Sequence, residues 1–242
     1  MTIATSLFAV VMGFQLLPET TGATQELRQV GVIVTRDGLV MALTHRESRI
    51  RVLAASVLAD LKEWNTAGAI AKAAEAERAT AARVSLTTSW ARLDKTGVAK
   101  LARMCRGDGS ISGLGRLYAS QALQDHFASE ECFDSLVRFV GTPSKADEIP
   151  RAEIALTLDS YKQSLTDPGK RRLAIKALSQ LLRAEDSYTR VAAATALFNI
   201  GDPAGLVPLT EAVAREHSSG LQNILQGILS DLQARTRPVK QP

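Results

Sequence analysis

The 242-residue chain carries 29 lysines and arginines against 25 acidic residues, a formal charge of +4. Hydrophobic residues at 45% and charged ones at 22% are ordinary for a soluble protein, and sparse aromatics at 5% leave alanine and leucine to do the packing. The mildly basic balance permits acidic partners without demanding them, and two cysteines are too few for a zinc site.

Residues 1–23 stand apart. Residues 7–17 form an apolar run too short to span a bilayer, which takes about 20 residues. Pro18 ends the run, and Thr21-Gly22-Ala23 resembles a small-residue cleavage site ahead of Thr24. These are the middle and end of a secretory signal peptide, although residues 1–6 lack its basic beginning. The competing expectation is an apolar N-terminal helix, a poor cap because the exposed end of a stack should be polar. Export to a periplasm or the outside is therefore expected over a cytoplasmic location, with a mature charge of +5 once Glu19 is lost.

From Gln25 an apolar-rich helix or pair of helices is predicted to residue 43. Residues 30–34 would pass alone for a short strand, but the helical surroundings predict helix. Residues 45–48 read as a turn, followed by helices over 49–62, 67–76, 80–93 and 96–103. Residues 107–115 form a glycine-rich loop. Helices then follow over 114–127, 130–140 and 150–165, with a second loop at 142–147. Asp167-Pro168 is a helix start, with Asp as N-cap and Pro at the first helical position, and Asp202-Pro203 repeats it. Residues 173–183 have one apolar face. Ser218 or Ser219 caps a last helix over 221–234, and residues 235–242 are expected to be a disordered basic tail.

The helical segments repeat. Arg51, Arg83, Arg116, Arg151 and Arg190 open five copies spaced by 32, 33, 35 and 39 residues. Three residues after each anchor stand Ala54, Leu86, Ala119, Ile154 and Ala193. Seven after stand Leu58, Trp90, Leu123, Leu158 and Leu197, and ten after Leu61, Leu93, His126, Tyr161 and Ile200. Offsets of three, seven and ten mark one buried stripe of a helix. The position four after the anchor is small throughout (Ala55, Thr87, Ser120, Ala155, Ala194), which lets neighbouring helices approach closely. Self-similarity at a period of ~30–40 residues marks a solenoid, in which no unit buries its face alone.

These residues resemble the HEAT repeat family, especially its short bacterial form. Its pattern of Val-Arg or Arg-Val, an alanine-rich run, a Leu and Gly-Asp-Pro matches best over 187–209. The copy at 47–61 has Lys62-Glu63-Trp64 where Gly-Asp-Pro would stand, and the copies at 83, 116 and 151 match only in the anchor and the apolar columns. The resemblance covers roughly residues 25–234, about five to six repeats, and implies an all-α superhelix of stacked antiparallel helix pairs. It also implies a non-enzymatic scaffold that binds a protein or peptide in its concave groove, and anchor arginines that bond carboxylates and carbonyls of the adjacent turn. Asp60, Arg92, Asp125, Ser160 and Asn199, nine residues after the anchors, would end the second helices and face the partner. A turn-capping role explains several of them nearly as well.

Some HEAT-like proteins are DNA glycosylases, and in a nucleic-acid alternative Lys170, Arg171, Arg172 and the basic tail would contact phosphates. Against it, Trp64, Trp90 and three tyrosines are too scattered to surround an extruded base. A bilin-lyase-like role is a remote third reading. No catalytic constellation emerges. His45, His126 and His217 lack metal spacing, and the 107–115 loop lacks a P-loop ending or dinucleotide spacing. No metal or cofactor is expected. Cys105 and Cys132 are expected as two free, half-buried thiols, because a disulfide between opposite ends of successive first helices would be awkward.

Overall fold

The computed structural model describes residues 22–108 and 111–237, and every regular element among them is helical. The chain divides into two compact units, Met1–Arg103 and Met104–Pro242. The first holds α1 (Gly22–Gln29), α2 (Arg36–Ala42), α3 (Ser48–Asp60), α4 (Ala67–Ala76) and α5 (Thr80–Leu93). Helix α2 packs on α3, α4 on α5, and α3 lies against both α1 and α5. Leu27, Leu39, Ile50, Leu58, Ile70 and Leu86 are fully or almost fully buried between them. Helix α6 (Lys95–Arg106) contains the division between the units.

The second unit holds α7 (Gly113–Phe127), α8 (Phe133–Gly141), α9 (Glu148–Thr157), the short α10 (Lys162–Thr166), α11 (Pro168–Leu181), α12 (Ser187–Ile200), α13 (Leu206–Arg215) and α14 (Ser219–Thr236). Helices α8 and α9, α11 and α12, and α13 and α14 form pairs, while α8 also meets α11. The second helices touch in chain order, α7 to α9, α9 to α12 and α12 to α14.

Burial follows the columns read from the sequence. The residues three after each anchor are all fully buried, and those four after, Ala55, Thr87, Ser120, Ala155 and Ala194, are buried too. A small side chain there lets the next helix approach. The outer columns are looser. Trp90 is half-buried against the first unit's core, and His126 is exposed, because α7 ends one residue later at Phe127, with Ala128 capping it in the left-handed conformation. Asp167 accepts from the Gly169 and Lys170 N–H groups, Asp202 from Ala204 N, and Ser218 caps α14.

Two expectations change. Residues 30–34 are not helix: α1 ends in a Schellman turn, with Gly31 at φ +82, Val32 N–H donating to Leu27 O and Gly31 N–H to Arg28 O. The last helix runs to Thr236, so Arg235 and Thr236 are not tail. Arg235 Nη1 donates to Phe198 O at 3.0 Å, and its guanidinium lies 5.5 Å from that ring. Residues 1–21, which carry the signal-peptide reading, lie outside the described residues, as do residues 238–242.

Candidate functional site

All five anchor arginines occupy the fourth position of their helices, α3, α5, α7, α9 and α12. From there a long side chain reaches back over the preceding turn. Arg51 Nη1 donates to His45 O at 2.5 Å and Arg46 O at 3.0 Å, while Nε donates to Glu77 Oε2 at 3.1 Å and Nη2 pairs with the same oxygen. Arg190 repeats this register. Its Nη1 donates to Ala184 O at 3.0 Å and Glu185 O at 2.7 Å, and Nε and Nη2 reach Glu216 Oε2 at 3.0 and 2.8 Å. In both copies the carbonyls stand six and five residues before the arginine and the glutamate 26 after it.

Each glutamate has a second task. Glu77 and Glu216 are the C-caps of α4 and α13, both extended at ψ near 130°. Their other carboxylate oxygen accepts the Ala79 N–H, or the His217 and Ser218 N–H groups, at the next helix start. One carboxylate therefore joins the end of a first helix, the turn and the arginine of the preceding second helix. Burial pushes the Glu77 carboxyl up, but the Ala79 N–H and the hydrogen bonds from Arg51 and Ser48 outweigh it and hold it below the ordinary value. Glu216 is held low by the Ser218 N–H first and by Arg190 after it.

The remaining anchors differ. Arg116 lies 4.8 Å over the Phe139 ring, with its buried Nε unpartnered and its guanidinium against Gly107. Arg151 is buried and donates from Nε to Val140 O at 2.9 Å. Arg83 stands in register, but the residue 26 after it is Gly109, outside the described residues. Tyr161, at the end of the Arg151 copy, is fully buried against Phe133, and no hydrogen bond of good geometry reaches its hydroxyl. Burial pushes that hydroxyl up to about 12.

The row nine residues after the anchors partly bonds to itself. Arg92 Nη2 donates to Asp60 Oδ1 at 2.6 Å, joining equivalent ends of α3 and α5. Ser160 Oγ donates to Thr157 O at 2.7 Å and reaches Gln124 Oε1 at 3.2 Å. Asp125 is exposed and Asn199 half-buried.

The basic cluster is split. Lys170 Nζ lies 3.9 Å from Asp134, Arg171 Nε lies 3.4 Å from Asp202, and Arg172 is exposed. Arg171 thus ties α11 to the turn after α12. His45 Nδ1 accepts the Glu47 N–H at 3.1 Å, a turn role. Among the described residues no group of three acids, histidines or cysteines is placed to hold a metal, and no helix is long and apolar enough to cross a membrane.

The cysteines correct the sequence reading. Cys105 and Cys132 are both fully buried and joined in a disulfide, with Cα atoms 5.9 Å apart. The expectation placed them at opposite ends of successive first helices and took those ends to lie apart. Instead the last turn of α6 meets the first turn of α8, where Ser135 Oγ donates to Arg106 O at 3.1 Å and Arg106 pairs with Glu131.

Comparison with family models, curated proteins and solved structures finds no match. The geometry stands by itself. Sequence reasoning missed Glu77 and Glu216, although their shared offset of 26 from Arg51 and Arg190 was open to view.

Proposed function

We propose that the chain is a non-enzymatic α-solenoid of the HEAT kind that holds a protein or peptide partner along its second helices. The carrying observation is the junction made in the same register by Arg51 with Glu77 and by Arg190 with Glu216. A junction recurring at fixed register is what stacking of like units requires, and such stacks leave a long helical face free for a partner. Asp125 and Asn199 at the second-helix ends are the partner-facing residues of this reading, with Asp60, Arg92 and Ser160 held nearer their neighbours. The buried cystine favours an oxidising compartment and so supports export.

The nucleic-acid alternative is weakened by the carboxylates already beside Lys170 and Arg171. Affinity capture with and without nuclease, comparing wild type, Asp125→Arg/Asn199→Arg and Lys170→Ala/Arg171→Ala/Arg172→Ala, separates the two. A protein partner that survives nuclease and is lost only in the first variant supports the scaffold. Loss with nuclease, with rising salt and in the triple variant would make the chain a phosphate binder.

A further inference from the structure

We infer that the seam between α8 and α11 is a docking groove for a short acidic protein segment bearing an apolar side chain. The groove encloses about 580 Å³. Along α11 it is lined by Lys170, Leu173, Ala177 and Gln180, which recur at helical spacing, with Lys176 beside them. Opposite, α8 contributes Asp134, Val137, Arg138 and Gly141. Val137 and Ala177 form a floor only 5% exposed, whereas Leu173 rises from it 56% exposed.

Charge commits the groove to one kind of occupant. Three cations, Arg138, Lys170 and Lys176, face one acid, Asp134, which stands 3.9 Å from Lys170. Arg138 and Lys176 have no carboxylate partner among the described residues, and both are exposed. The adjoining groove shows the contrast. It shares Gln180 and carries Lys145 and Arg183, but its Lys145 is already paired with Glu185 at 2.8 Å. Of these two grooves, the α8–α11 one combines unpaired cations with an exposed aliphatic side chain.

An acidic peptide uses both features. Its carboxylates meet the cations, and one apolar side chain covers Leu173 above the Val137–Ala177 floor. From Lys170 to Gln180 the groove runs about 15 Å, the reach of roughly five extended residues. A nucleic acid would meet the cations but leave Leu173 uncovered, and no aromatic side chain lines the groove for a base to stack on. The groove lies on first helices, so it does not depend on the second-helix row proposed above.

The test is fluorescence anisotropy on the full chain with a fluorescein-labelled peptide alternating Glu, Asp and Leu. Comparison probes are the same peptide with Ser for Leu, and oligothymidine. Saturable binding of the Leu peptide is expected, about tenfold weaker in Arg138→Glu and in Lys176→Glu. Leu173→Ser should weaken the Leu peptide several-fold and leave the Ser peptide unchanged. These side chains are exposed, so unchanged helical circular dichroism and melting will show the variants folded. Absence of saturable binding at about millimolar peptide overturns the inference, as does equal binding of the Ser peptide or tighter binding of oligothymidine. So does a dimer in sedimentation that Arg138→Glu dissociates, because a second copy would then fill the groove.

Discussion

Arg51 and Arg116 hold the same place in their helices and do different work. Arg51 closes a four-way junction with two turn carbonyls, Ser48 and Glu77. Arg116 rests on the Phe139 ring with its Nε unpaired. The difference lies 26 residues downstream. There Thr142 caps α8 in the same extended conformation that Glu77 adopts after α4, but it brings no carboxylate. Near Arg116 the covalent link between Cys105 and Cys132 ties neighbouring helix ends instead. A repeat can thus keep its anchor and its buried columns while exchanging a polar junction for a cystine.

Breaking the cystine should have the largest effect. It closes a loop across 27 residues, so Cys105→Ser/Cys132→Ser should lose about 3.5 kcal/mol of stability by chain entropy. Denaturant melts with and without reductant measure this, and a wild type indifferent to reductant would show that the cystine carries no stability. Next comes Glu77→Ala, which strands the Arg51 guanidinium and the Ala79 N–H and should cost about 2 kcal/mol. The junction also predicts a pH dependence. A carboxyl held below its ordinary 4.5 in the folded protein contributes stability above that value, lost as pH falls through the lower folded value. Glu77→Gln should flatten that acid limb of the stability curve. An unchanged limb would mean that Glu77 titrates alike in both states.

The turn after α3 departs from its counterpart after α12 in the residue type at its left-handed position. Lys62 stands eleven residues after Arg51, as Gly201 does after Arg190, and both adopt the left-handed conformation, at φ 56° and 69°. A lysine there is strained by its Cβ, a glycine is not. Lys62→Gly should therefore stabilise the chain by about 1 kcal/mol. Destabilisation would show that the Lys62 side chain holds the turn by contacts that outweigh the strain.

The helices and their buried faces were legible because they rest on local periodicity. The three and four offsets locate the core in every copy without any knowledge of neighbours, while the seven and ten offsets hold less regularly. Long-range choices were not legible in that way. The cystine depends on the end of α6 meeting the start of α8, and the repeat spacing alone suggested the opposite. Residues 30–34 are apolar enough for a helix, yet Gly31 accepts the positive φ that ends one. Cations and apolar residues of the α8–α11 groove come from segments about 35 residues apart, so no local pattern marks them. By contrast, the Arg–Glu offset of 26 was visible, but only to a comparison of distances between unlike residues.

The smallest expected effect is the most specific. Thr142→Glu places a carboxylate at the offset and backbone geometry where Glu77 and Glu216 already work. It gives the unpaired Arg116 Nε an acceptor and gives up only the Thr142 hydroxyl bond to Arg138 O, 2.8 Å long. Because Thr142 is exposed, the gain should be about 0.5 kcal/mol, or roughly 1–2 °C in melting temperature. Thr142→Gln matches the side chain without the charge and should gain nothing, and Arg116→Lys in the glutamate background should erase the gain. Equal melting of the Glu and Gln variants would show that offset and backbone do not suffice. The junction would then also require the two turn carbonyls that Arg51 and Arg190 hold, and Arg116, turned onto Phe139, would have to leave that ring before it could pair.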